Sequence, residues 1–107
     1  MNGKFESTSL SWSEKRRSGR HEVKMVVRLS YADIAVGAGV MTDISEYGCR
    51  IEAVFRMTTG RLVSVQVADF VIVGWVAWST HEAFGIDFSN PLRLEVVQHI
   101  AQVVSRR

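Results

Sequence analysis

Cysteine and proline each occur once in the 107 residues, as Cys49 and Pro91. A lone cysteine excludes an intrachain disulfide, so the fold must be held by an apolar core. Proline is nearly absent, and the eight glycines are spread along the chain, as turns between short strands require. No window contains eighteen uninterrupted apolar residues, which excludes a membrane-spanning helix. The first residues, Met1 to Ser7, form no apolar run of the signal-peptide kind. The expected location is the cytoplasm. His21, His81, His99 and Cys49 are too far apart for a metal-ligand pattern. With no nucleophile–base pair visible either, neither a metal nor catalysis is expected.

What is present is an ordinary globular balance of 47% apolar and 22% charged residues, enough for one domain with a core. The net charge of +2 conceals an asymmetry. Residues 1–28 carry seven bases against three acids (+4), whereas residues 29–105 carry four bases against eight acids (−4). The bases concentrate in Lys15-Arg16-Arg17-Ser18-Gly19-Arg20, a polar stretch unfit for any interior. A basic arm on an acidic body predicts an anionic ligand met by the arm. A broad nucleic-acid face would need bases across the body and a row of exposed aromatics, and neither is expected here.

Residues 1–13 read as a flexible polar tail and 14–21 as the arm. After them, Val23, Met25, Val27, Leu29 and Tyr31 alternate with polar residues as a half-buried strand does. Ile34, Val36, Ala38, Val40, Thr42 and Ile44 form a second alternating set, with Gly37 and Gly39 on the opposite face. Cys49, Ile51, Ala53 and Phe55 form a third, and Val63, Val65 and Val67 a fourth. Phe70–Trp78 reads as a long apolar fifth strand around Gly74, and Phe84, Ile86 and Phe88 as a sixth. Asn90-Pro91 then has the form of a helix start, and Val96, Val97, Ile100, Ala101, Val103 and Val104 follow at helical spacing, predicting a helix over 91–105. Six strands with turns between them predict a mainly β antiparallel barrel or sandwich over 22–88, closed by one C-terminal helix. Trp75 and Trp78 have opposite parity, so a regular strand turns only one of them inward.

Asp43-Ile-Ser45-Glu-Tyr-Gly48 breaks the alternation at a strand end. In one reading Asp43 and Ser45 satisfy nearby backbone N–H groups and Gly48 supplies a positive φ. In the other they point outward, where a carboxylate accepts from guanine's N1–H and N2–H₂ edge while arginine forks suit guanine O6/N7 or a phosphate. Arg16-x-x-x-Arg20 followed by Asp43-x-Ser45-x-x-Gly48 resembles the PilZ domain. The likeness runs over about residues 14–105 and extends to Gly60, to Gly74-Trp-Val76-x-Trp78, and to Gly85-Ile-Asp-Phe88. The resemblance implies a six-stranded antiparallel β-barrel that binds cyclic di-GMP. It assigns Arg16 and Arg20 to phosphates and guanine edges, Asp43 and Ser45 to a guanine, and Gly48 to the backbone turn. It adds Arg17 and Lys15 as auxiliaries, Lys15 at a position that bears on whether one ligand or a stacked pair binds. His21 is a candidate phosphate contact. Trp78 is a candidate stacking contact, its alternative being packing. The implied role is a stand-alone receptor that passes its signal to a protein partner. The alternative within the family is an adaptor that does not bind nucleotide.

Overall fold

The computed structural model describes residues 19–105. Six strands, β1 (His21–Tyr31), β2 (Ile34–Ile44), β3 (Gly48–Glu52), β4 (Leu62–Val67), β5 (Phe70–Ser79) and β6 (Ala83–Phe88), precede one helix, α1 (Leu94–Ser105). All six strands pair antiparallel in the closed order β1-β2-β3-β6-β5-β4. The sheet is therefore a barrel and not a sandwich. Its interior is filled by the inward positions of every strand, among them Val27, Leu29, Met41, Ile51, Val65, Val76, Phe84 and Ile86. Among the described residues no helix is long and apolar enough to cross a membrane.

The inward set of β2 differs from the sequence expectation. Ile34 and Val36 are exposed, whereas Gly39 and Met41 are buried and Gly37 faces the ring of Phe55. Only Ile44 of the expected set lies in the core. Two causes act together. Gly37 and Gly39 leave room on the inner face for Phe55 and Ile51, which a Cβ at either position would press against. A register shift between Met41 and Asp43 then adds one residue to β2 relative to β3, so that Ile44 returns inward and Asp43 stays outward.

Closure of the barrel is short. β1 meets β4 only through Arg28–Gln66, Leu29–Val65 and Ser30–Ser64. β1 also packs against α1, whose Val97 and Ile100 are buried in the common core. The helix starts at Leu94, three residues later than Pro91 predicts. The Leu92 N–H donates to the Glu46 carbonyl (2.8 Å), and Arg93 supplies the carbonyl that accepts from Val96 and Val97. Residues 91–93 are thus tied to the segment between β2 and β3 and do not belong to the helix.

The β1–β2 loop is two residues long, and both Ala32 (φ 52°) and Asp33 (φ 64°) lie in the left-handed region. That geometry matches the right-handed strand twist but suits Asn-Gly better than Ala-Asp. Combining Ala32→Asn with Asp33→Gly is expected to raise the thermal midpoint by roughly 5 °C, corresponding to about 1 kcal/mol of relieved strain. Calorimetry showing an unchanged or lower midpoint would contradict this account of the loop.

Candidate ligand-binding site

Asp43 lies in a row of register partners that crosses five strands of the outer wall. Glu22 of β1 pairs with Asp43 of β2, Asp43 with Arg50 of β3, Arg50 with Gly85 of β6, and Gly85 with Trp78 of β5. Asp43 and Trp78 are three strand steps apart, half of the closed six-strand circuit, or roughly 14 Å measured along the curved wall. Both ends of this span are set by irregularities. The shift in β2 turns Asp43 outward, and a second shift between Val76 and Trp78 turns Trp78 outward as well. Trp75 is outward as well, so neither tryptophan fills the core. The indole of Trp78 lies over Gly85, where any Cβ would overlap its Nε1.

Arg20 closes on Asp43 from the start of β1. Its Nη2 donates to Asp43 Oδ2 at 2.7 Å, across 23 residues of sequence. The Arg20 side chain is 38% exposed and that of Asp43 15%, so the carboxylate is sheltered while the guanidinium remains reachable from solvent. Arg50 Nη1 donates to Thr42 Oγ1 (3.1 Å) and to Glu52 Oε2 (2.7 Å). Arginines therefore stand on both sides of Asp43. Arg50 is not among the site residues that the sequence suggests. The signal available was its place two residues after Gly48, where β3 carries its first outward side chain.

Ser45 takes the local role. Its side chain is buried, its Oγ accepts from the Tyr47 N–H (3.1 Å), and its own N–H donates to the Gly48 carbonyl (2.9 Å). The hydroxyl thus folds into the turn and is not presented outward. Gly48 also differs from expectation. It is not among the residues with positive φ, and what it provides is space, because a Cβ there would overlap the Ile86 carbonyl of β6. The rest of the turn is fastened from behind: the Phe88 N–H donates to the Tyr47 carbonyl and the Leu92 N–H to that of Glu46, each at 2.8 Å. Asp43 thus projects from the end of β2, next to a turn whose backbone is bonded to the end of β6 and to the approach of α1.

His21 is half-buried opposite Ile44, beside Arg20. Lys15, Arg16 and Arg17 lie outside the described residues. Cys49 is enclosed in the core; burial pushes its thiol far above the ordinary range, and the Asp43 carboxylate adds to the rise. A thiol held protonated is a poor nucleophile. Among the described residues no group of three His, Cys, Asp or Glu could hold a metal ion.

Comparison with known proteins bears on the wall and arm together. No curated protein matches the chain. Among solved structures, the crystal structure of the PilZ domain of CeSA from a cellulose-synthesizing bacterium superposes with a TM-score of 0.60 at 16% identity, over 83% of this chain and 97% of that one. The likeness is one of fold. The PilZ domain family model matches residues 14–106, a span that includes both the arginine motif and the Asp-Ser-Gly turn. The chain belongs to the PilZ domain family.

Proposed function

We propose that this domain is a receptor for cyclic di-GMP, the ligand for which its family is known. The observation that carries the reading is the Arg20–Asp43 juxtaposition, a guanidinium and a carboxylate brought together on an outer wall from distant parts of the chain. The two groups match complementary parts of one nucleotide. A carboxylate accepts from the N1–H and N2–H₂ of guanine, and an arginine fork grips phosphate or guanine O6/N7. Asp43 takes a guanine edge and Arg20 a phosphate or base edge, with Arg16 and Arg17 completing the anion contacts, Lys15 and His21 at the margin, and Trp78 offering a stacking surface across the row. Ser45 and Gly48 act by shaping the turn that holds Asp43. The signal leaves through the bonded link from Glu46 to Leu92 at the entry of α1, to be read by a protein partner.

Titration calorimetry with cyclic di-GMP tests the reading. The wild type is expected to bind in the micromolar range or tighter. A paired Arg16→Lys, Arg20→Lys variant, which keeps charge and loses the planar forks, should lose at least about tenfold in affinity. Absence of wild-type binding at roughly 100 µM ligand would exclude the receptor role and leave the adaptor role.

A further inference from the structure

Arg50 is the register partner of Asp43 on the β3 side, whereas Arg20 reaches the same carboxylate from the start of β1. Both bonds of the Arg50 guanidinium to described side chains leave from one nitrogen. Nη1 donates to Thr42 Oγ1 (3.1 Å) and to Glu52 Oε2 (2.7 Å). Thr42 precedes Asp43 on β2 and Glu52 follows Arg50 on β3, so both ties hold Nη1 on the side away from the turn at residues 45–48. Nε and Nη2, the two parallel donors along the flank of the guanidinium, make no bond to any described residue. The side chain is 37% exposed. Beyond it the row continues with Gly85, which adds no side chain of its own. Arg50 is thus a guanidinium steadied at one nitrogen, with a two-donor fork to offer beside Asp43.

We infer that Arg50 reads the O6/N7 edge of the same guanine whose N1–H and N2–H₂ are accepted by Asp43, and so selects guanine over adenine. The inference rests on the proposed receptor role and names the residue that gives it base specificity. Partners on adjacent antiparallel strands stand about 5 Å apart at Cα. The donor edge and the O6/N7 edge adjoin on a guanine ring, so a carboxylate and a guanidinium one strand apart can address both edges of one base. Two parallel N–H groups match O6 and N7 as a bidentate pair. Adenine carries an amino donor where guanine has O6, and its N1 is an acceptor, so it would set donor against donor at Arg50 and acceptor against acceptor at Asp43. Glu52 decides between a base edge and a phosphate. Its carboxylate offsets the charge of Arg50, which weakens the pull on an anion but leaves the fork intact for neutral acceptors.

Calorimetric titration of the whole chain with cyclic di-GMP and with its 7-deazaguanine analogue, in which a C–H replaces N7, tests the assignment. The wild type is expected to bind the analogue at least about fivefold more weakly, since the fork loses one acceptor. Arg50→Ala and Arg50→Lys should each weaken cyclic di-GMP binding about tenfold. Both should also cut the penalty for the analogue at least about threefold, because the group that senses N7 is gone. A merely structural role for Arg50 would lower both affinities together and leave that penalty as it is, and circular dichroism melts establish that each variant is folded. Variants that keep the wild-type penalty, or a wild type that binds both ligands equally, overturn the inference and leave the receptor role standing. A wild type that binds no cyclic di-GMP at roughly 100 µM removes both.

Discussion

Asp43→Ala is expected to weaken cyclic di-GMP binding by roughly 100-fold while moving the thermal midpoint by only a few degrees. The small stability effect follows from exposure. Arg20, its partner, is 38% exposed, and pairs open to solvent contribute about 0–1 kcal/mol. The large binding effect follows from the chemistry of the guanine edge. Two donors that meet a charged acceptor lose it at once, and charge-assisted bonds are roughly twice as strong as neutral ones. An opposing term exists, since removing a carboxylate makes the wall more positive and attracts a phosphodiester more strongly. At surface dielectric and physiological salt that term is of order 1 kcal/mol or less, so it does not rescue the lost edge. Calorimetric titration beside a thermal melt separates the two effects. Unchanged or tighter binding by the variant would mean that Asp43 serves only to position Arg20.

Gly48→Ala should destabilise the fold by about 3 kcal/mol or more, lowering the thermal midpoint by at least about 10 °C. The added methyl has no flexible side chain to displace. It overlaps the Ile86 backbone carbonyl and approaches the Asp87 Cα at 3.7 Å. Relief requires β3 to part from β6 at Gly48–Asp87 and Cys49–Ile86, which opens the wall over Cys49, Ile51 and Ile86 of the core. Gly60→Ala provides the contrast. Its φ of 88° makes the substitution strained, yet nothing lies within 4 Å of the new methyl. About 1 kcal/mol is the expected loss there. Urea unfolding of the two variants gives the comparison, and equal losses would mean that the β3–β6 backbone yields to the added methyl at little cost.

The barrel was legible because alternation is a period-two signal, and four of the six strands obey it without interruption in their inward residues. β3 and β4 show this well: Cys49 and Ile51, then Val63, Val65 and Val67, are buried as their spacing predicts. β2 was misread for most of its length because apolarity and inwardness part company there. Ile34 and Val36 are apolar yet outward, and the inner face is given to Gly37, Gly39 and Met41. Period-two counting cannot register an inserted residue, so the shifts at Thr42 and Ala77 that turn Asp43 and Trp78 outward left no mark in the pattern. The late start of α1 was hidden for a related reason. Asn90-Pro91 is a sound local signal for a helix start, but the Leu92 N–H is claimed by Glu46, a residue 46 positions earlier. Asp43 and Arg20 were legible as residue types at a spacing; their 2.7 Å approach is a product of the β1–β2 register.

The Arg20–Asp43 bond has a consequence for what a binding measurement on this wall reports. Under the proposed function both residues serve one ligand, yet each already holds the other at 2.7 Å. A guanine edge arriving at Asp43 competes with a guanidinium for the same carboxylate, and a phosphate arriving at Arg20 competes with that carboxylate for the guanidinium. Association is then a swap of partners among four charged or strongly polar groups. Its free energy is the difference between two sets of charge-assisted bonds, each strong alone. The grip of the wall on itself sets the threshold that the messenger must exceed.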